Sequence, residues 1–228
     1  MAVRGVIFDI DGTLIDSVDL HAQAWQEALR HYGYEIEFGR ARHEIGKGGD
    51  HLIPDLTGLP PNGSRFKELE RFRSEIWKSK YLARVNPFPK VRQLFENILR
   101  DGKKIVLASS AKGDELKKYR QIAGIDDLVR DETSADDVDR SKPSPDAIEA
   151  ALGALHHTDP ETVVMIGDTP WDVIAAAKVQ VRTLAVLCGG FPGEELRAAG
   201  AVAIYRDPAD LLANYESSLL GSSKRQVA

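Results

Sequence analysis

Short apolar runs rich in β-branched residues alternate with stretches of helical periodicity over most of the chain. The apolar runs predict strands at 3–8, 104–108, 162–166, 183–187 and 201–204, with a weaker one at 128–129. Helices are predicted between them at 114–122, 144–155, 170–178, 193–199 and 208–215. Strands that alternate with helices are typical of βαβ units, so the pattern predicts an α/β fold with a parallel sheet flanked by helices.

One segment breaks this alternation, because residues 16–82 carry helical signals only. Apolar residues recur there at helix spacing in two groups: Leu20, Ala24, Trp25, Ala28 and Leu29, then Phe66, Leu69, Phe72, Ile76 and Trp77. The segment therefore predicts an all-helical cap domain, 16–82, inserted into a core domain of residues 1–15 and 83–228. The chain is expected to return to the sheet near Pro87.

The composition of the 228 residues is that of an ordinary globular protein, with 43% hydrophobic and 29% charged residues. The net charge of -5 argues against nucleic acid as a partner, because a basic surface is missing. Cys188 is the sole cysteine, so an internal disulfide is excluded. The chain begins directly with a strand pattern and has no apolar run near the roughly 20 residues that span a bilayer. These features predict a cytoplasmic protein without membrane contact.

Polar residues follow several of the predicted strands, where ligands bind in parallel α/β sheets. The residues concerned are Asp9 and Asp11, Ser109 and Ser110, Asp168 and Asp172, and Lys142 before a helix start marked by prolines. We expect them to meet in one crevice.

Two carboxylates at the end of a buried strand repel each other and cost desolvation energy. Mg²⁺ prefers hard oxygen ligands, which Asp9 and Asp168 offer, and the cation would relieve that repulsion. With Lys142 also offsetting charge, a phosphate dianion could approach and Asp9 could attack its phosphorus. Asp11 suits proton transfer to the leaving group, and Ser109 suits binding of phosphate oxygens. The chemistry implies a small phosphorylated metabolite as partner.

Four motifs in order resemble the haloacid dehalogenase superfamily. They are DIDGTL at 9–14, Ser109 at the end of the second core strand, Lys142 in KPSPD, and GDTPWD at 167–172. The resemblance spans nearly the whole chain and implies a Rossmann-like core with a small helical cap. Within the superfamily, the chain resembles the branch of phosphoglycolate phosphatases and β-phosphoglucomutases.

The resemblance implies a role for each motif residue. Asp9 would be nucleophile and Mg²⁺ ligand, and Asp11 would be the acid/base that also offers its backbone carbonyl to Mg²⁺. Asp168 would be the second carboxylate ligand, and Asp172 an outer-shell acid, unless it serves only to stabilise a helix N-terminus. Lys142 would neutralise Asp9 and phosphate. Further phosphate contacts are expected from Ser109, Ser110 and Gly12, of which Gly12 also fits a flexible turn.

Candidate substrate contacts also come from the cap. The segment IGKGGD at 45–50 fails both glycine-rich phosphate-loop patterns, since Ala41 and His51 stand where glycines are required. In the capped family this region faces the active site, so Lys47 is a candidate contact, with a solvated lysine as the alternative. His21 and Trp25 are further candidates, with packing in the core or rim as their alternative.

Asp11 narrows the reaction within the superfamily. Haloacid dehalogenases lack an aspartate there, and phosphonoacetaldehyde hydrolases carry a small residue, whereas phosphatases and phosphomutases keep the acid. The sequence therefore predicts a Mg²⁺-dependent phosphatase that acts through an aspartyl-phosphate. A β-phosphoglucomutase-like mutase is the alternative, disfavoured because those mutases pair two acids where this chain has Gly167 and Asp168. A non-catalytic binding module is the second alternative, and a monomer or a small homo-oligomer both remain open.

Overall fold

The computed structural model describes residues 2–111, 113–129, 131–133, 139–155 and 158–221. Its main element is a six-stranded sheet in the order β5-β4-β1-β6-β7-β8, in which every neighbouring pair is parallel. The strands are β1 Gly5–Phe8, β4 Lys104–Ala108, β5 Asp131–Thr133, β6 Val163–Gly167, β7 Arg182–Val186 and β8 Ala203–Tyr205. The predicted parallel sheet is confirmed.

Helices cover both faces of this sheet because its central strands are buried on both sides. Successive side chains of a strand alternate between faces, so Val6 and Phe8 join one apolar cluster while Ile7 joins the other. Phe8 stacks on Phe95 with ring centroids 4.6 Å apart. The helices are α5 Val91–Arg100, α6 Gly113–Ala123, α7 Asp146–Ala154, α8 Pro170–Lys178, α9 Gly193–Ala199 and α10 Pro208–Ala213. None of the described helices is long and apolar enough to cross a membrane.

Four helices lie between the first strand and the rest of the core. They are α1 Val18–His31, α2 Phe38–His43, α3 Gly49–Thr57 and α4 Ser64–Ile76, followed by a π-helical turn at Trp77–Tyr81. They enclose an apolar cluster of their own, which includes the fully buried Leu29, Leu52 and Leu69. The two connections to the sheet pair with each other as short antiparallel strands, β2 Ile15–Asp16 and β3 Asn86–Pro87.

The structure corrects the weak strand predicted at 128–129. Val129 is buried, but its N–H bonds to the Ile125 carbonyl at 3.2 Å in a turn, so it does not pair in the sheet. The strand that flanks β4 is β5, with the sequence DET, which has no apolar residue to signal it. Helix α5 and the β2–β3 pair were not predicted either. The spacing of Val91, Leu94, Phe95 and Ile98 does carry the helical signal for α5.

Candidate active site

A buried lysine bridges two buried carboxylates at the carboxyl ends of β1 and β6. Lys142 donates from Nζ to Oδ1 of Asp9 and, at 2.7 Å, to Oδ1 of Asp172. Lys142 is 1% exposed, Asp9 4% and Asp172 0%. Burial alone would lower the pKa of Lys142, but the charges of Asp172 and Asp9 outweigh it and hold that pKa above its ordinary value. The ammonium therefore stays charged beside Asp9.

Asp168, directly after β6, completes a group of three carboxylates. One oxygen each of Asp9, Asp168 and Asp172 lies within 4.8 Å of the others. Oδ1 of Asp168 accepts a hydrogen bond from Thr13 Oγ1 at 2.9 Å, while its buried Oδ2 has no partner among the described residues. Burial first, then the charges of Asp9 and Asp172, raise the pKa of Asp168 well above its ordinary value. A cation here would stabilise the ionised carboxylates.

The space beside that unpartnered oxygen exists because two glycines surround it. A Cβ added to Gly189 would lie 1.7 Å from Asp168 Oδ2, and one added to Gly12 would lie 2.4 Å from the same atom. A buried carboxylate oxygen that has no hydrogen-bond partner among the described residues and is approached closely by the backbone of two glycines fits a hard divalent cation such as Mg²⁺. Asp172 is placed differently, because its Oδ2 already accepts from the Thr169 N–H at 3.0 Å and hydroxyl at 2.7 Å.

Asp11 points away from this group and towards the start of helix α1. Its Oδ1 accepts hydrogen bonds from Ser17 Oγ at 2.6 Å and from His21 Nε2 at 2.9 Å. Burial raises the pKa of Asp11, but the interaction with His21 and the hydrogen bonds from His21 and Ser17 outweigh burial, so the pKa is lowered. Asp11 is therefore ionised in the free protein.

His21 is held by a residue of helix α4. Arg73 Nη2 lies 2.5 Å from His21 Nδ1, and the imidazole stacks on Trp77 with centroids 3.6 Å apart. Because arginine only donates, Nδ1 accepts and Nε2 carries the proton that Asp11 receives. Burial and the charge of Arg73 lower the pKa of His21, although Asp11 opposes them. Sequence reasoning missed Arg73, since it lies 52 positions from His21 and no local pattern connects them.

Ser109 and Ser110, which follow β4, lie on the same side of the site as Lys142. Ser109 is 2% exposed, and its Oγ accepts from the Ala111 N–H at 3.1 Å. Ser109, Ser110 and Lys142 line one cavity, so the second and third motifs are adjacent. Gly12 turns with φ +85°, and its N–H donates to the Ile15 carbonyl at 2.9 Å. Its contribution to phosphate binding stays a prediction.

Two adjoining cavities lie between the helices and the sheet. An inner one of about 50 Å³ reaches Asp9 and Asp11, and an outer one of about 630 Å³ reaches Ser109 and Lys142. Their shared wall consists of Trp25, Lys47, Arg73, Ser110 and Glu115.

Lys47 and Trp25 both lie in the shared wall, as candidates for substrate contact. The Lys47 ammonium is already paired with Glu44 and, at 2.8 Å, with Asp55, and it lies 4.1 Å from the centroid of Trp171. Trp25 is 5% exposed and packs in the cap cluster.

Helices α2 and α3, with the turn between them, contact residues directly beside two site residues. Ser141, which precedes Lys142, donates its N–H to Asp50 at 3.0 Å and its hydroxyl to the same carboxylate at 2.5 Å. The Gly48 N–H donates to Ser141 Oγ at 2.8 Å. Arg42 donates to the carbonyl of Gly189, the glycine beside Asp168, at 2.9 Å.

Comparison with known proteins agrees with this arrangement. A family model for haloacid dehalogenase-like hydrolases matches residues 6–186. The chain is 27% identical over 186 residues to pyrophosphatase PpaX from Halalkalibacterium halodurans, covering 82% of this chain and 84% of the relative. It is 26% identical over 204 residues to a phosphoglycolate phosphatase from Vibrio vulnificus, with 86% and 89% covered.

A solved structure has the same fold. The crystal structure of a hydrolase from Pseudomonas syringae superposes with a TM-score of 0.85 at 28% identity, covering 94% of this chain and 98% of that one. With a family model that matches most of the chain and the four motifs gathered at one edge of the sheet, the chain belongs to the haloacid dehalogenase-like hydrolases.

Proposed function

We propose that this protein is a Mg²⁺-dependent phosphatase that hydrolyses a small phosphate monoester through an aspartyl-phosphate. The observation that carries the proposal is the pairing of Asp9 with the buried Lys142 beside Asp168, whose outer oxygen has no partner among the described residues. The relatives named pyrophosphatase and phosphoglycolate phosphatase support it, since both names describe release of phosphate.

The chemistry follows from the charges around Asp9. Asp9, Asp168 and the backbone carbonyl of Asp11 would hold Mg²⁺, which would supply positive charge to the phosphate and the carboxylates. Asp11 is ionised in the free protein, so it must take up a proton from solvent as the substrate binds. An oxygen of Asp9 then forms a bond to phosphorus as the ester oxygen leaves, and Asp11 gives its proton to that oxygen. Asp11 then takes a proton from water as the water oxygen displaces Asp9 and phosphate departs.

Lys142 and Asp172 act on the nucleophile without reacting. Lys142 holds Asp9 at a fixed position and neutralises charge as the dianion arrives. Asp172 holds Lys142 in turn through a 2.7 Å bond, which fits an outer-shell role. Ser109, Ser110 and Gly12 are proposed to bind phosphate oxygens, and residues 16–82 to act as a cap over the core formed by 1–15 and 83–228.

The test is phosphate release from a broad panel of esters with Mg²⁺ and with EDTA. Asp9→Asn should abolish release because the amide is not a nucleophile, while Asp16→Asn, at an exposed acid in the neighbouring strand, should leave it unchanged. Acid quenching during turnover should trap phosphate on the wild-type protein. If no ester is hydrolysed and Asp9→Asn changes nothing, the protein is a binding module on this fold.

The mutase alternative needs a separate assay. A sugar 1-phosphate is supplied with a bisphosphate primer, and isomerisation is compared with phosphate release. Isomerisation faster than release would replace the phosphatase proposal with a mutase.

A further inference from the structure

A buried carboxylate in the cavity wall has no role in the chemistry described so far. Glu115 lies in the first turn of α6, is 6% exposed and lines both cavities. Its side-chain contacts are long, with Ser74 Oγ at 3.5 Å and Lys78 Nζ at 4.0 Å. Lys78 is nearer to Asp114, at 2.7 Å. Glu115 therefore offers acceptor oxygens that its neighbours use weakly.

An unused donor lies in the wall of the same inner cavity. Arg73 gives Nη2 to His21, while its buried Nε has no partner among the described residues. The guanidinium is fixed against the rings of Trp25 and Trp77, at 5.0 Å and 5.6 Å from their centroids. A hydroxyl group both accepts and donates, so it can bond to Arg73 and to Glu115, whereas a carboxylate or phosphate oxygen can only accept.

The charge around the inner cavity favours the same kind of ligand. Asp9, Asp11 and Glu115 line it together with the cations Arg73 and Lys47. Lys142 pairs with Asp9, and Lys47 is already neutralised by two carboxylates, so Asp11 and Glu115 face Arg73 as the single cation in this wall without a carboxylate partner among the described contacts. Burial, then the charges of Asp11 and Glu115, raise the pKa of Tyr119 in the same wall. A second anionic group on the substrate would thus face negative charge in a buried site, where repulsion is poorly screened.

We propose that Glu115, with Arg73, makes the site specific for phosphate esters of neutral polyhydroxylated alcohols, such as sugars and polyols. Leaving groups that carry a carboxylate or a second phosphate are rejected by Glu115. The outer cavity of about 630 Å³ gives such an alcohol room, since cavities of about 300–1,000 Å³ hold ligands of drug size. This inference rests on the proposed phosphatase activity. It predicts a substrate class different from the pyrophosphate and phosphoglycolate that the relatives' names give.

The experiment compares kcat/KM for four substrates: glycerol 3-phosphate, hexose 6-phosphate, phosphoglycolate and pyrophosphate. The wild type should prefer the two polyol esters by about tenfold or more, because a charge repulsion of about 1.4 kcal/mol is enough for a factor of ten. Glu115→Gln should raise kcat/KM for the two anionic substrates about tenfold and lower it for the polyol esters. Glu75→Gln removes a carboxylate at an exposed position of α4 outside both cavities and should leave the preference as in the wild type.

A loss of packing would lower all four values together in Glu115→Gln, and that result would overturn the inference. So would a wild type that prefers phosphoglycolate or pyrophosphate. An assay with p-nitrophenyl phosphate tests the phosphatase activity separately from the role of Glu115. If it is hydrolysed, and Asp9→Asn stops this, an anionic preference refutes only the role of Glu115. If no substrate releases phosphate, the proposed function fails and the inference with it.

Discussion

Removing the charge of Lys142 is the most direct perturbation of the site. In Lys142→Met a side chain of similar length stays in place, but Asp9 and Asp172 lose the cation that both contact. Breaking a buried ion pair by removing one partner costs about 3–5 kcal/mol. For a chain of 228 residues, about 2–4 °C in Tm accompany each kcal/mol, so we expect Tm to fall by about 6–20 °C.

The pKa of Asp9 determines how the loss of stability in Lys142→Met should change with pH. Burial raises the pKa of Asp9 to about 7 although Lys142 lowers it, so removal of Lys142 raises that pKa further. A carboxyl whose pKa is raised on folding binds more protons in the folded state, so its ionisation destabilises the fold as pH rises between the unfolded value and the folded one. The loss in free energy of unfolding caused by Lys142→Met should therefore be larger at pH 8 than at pH 5.

The assay is urea and thermal unfolding followed by circular dichroism at pH 5 and pH 8, in EDTA so that no cation replaces the ammonium. Lys178→Met is the matched control, because Lys178 ends α8 with an exposed bond to the Pro143 carbonyl at 2.8 Å. A Lys142→Met protein within about 1 kcal/mol of the wild type at pH 8, or a deficit larger at pH 5, would refute the reasoning.

Three further predictions concern the proposed metal site and the proposed cap. Mg²⁺ at about 100 times its Kd should stabilise the wild type by about 2.7 kcal/mol, or about 5–10 °C in Tm. Asp168→Asn should remove most of that gain, and an unchanged wild-type Tm in differential scanning fluorimetry would contradict the metal assignment. Gly189→Ala, whose Cβ would lie 1.7 Å from Asp168 Oδ2, should raise the Mg²⁺ concentration for half-maximal activity severalfold. Gly193→Ala, where the nearest atom would be 3.4 Å away, should not. Asp50→Ala should lower kcat by freeing Ser141 beside Lys142, and adding Ser141→Ala should cause little further loss in a double-mutant cycle. Additive losses would show that the two residues act separately.

The core of the site was predictable from sequence because its signals are local. An apolar run followed by acids at Asp9 and Asp168 marks the end of a buried strand, and parallel strands bring such ends together. The order of the strands and the polar strand β5 have no comparable signal. Residues that show neither apolar periodicity nor a motif are positioned by packing alone.

The wall of the cavities could not be predicted for a different reason. Glu115 and Asp50 acquire their contacts only when the helical segment packs on the core, and Arg73 acquires its contact when α4 packs on α1. Each contact joins residues far apart in the chain. His21 shows the consequence, since its position in α1 gave no indication that it bonds to Asp11. Docking of two apolar clusters decides these contacts, and one sequence does not reveal its geometry.

The two carboxylate oxygens of Asp172 make different contacts, and this affects the choice of an inactive variant for ligand capture or crystallisation. Oδ2 closes the first turn of α8 through Thr169, in a reciprocal capping box, while Oδ1 fixes Lys142. Substitution of Asp172 disturbs both the start of α8 and the contact with the buried Lys142. An activity assay on such a variant would therefore not distinguish loss of catalysis from loss of folding. Asp9 takes no part in a helix cap, so Asp9→Asn is the better inactive variant for capturing a ligand.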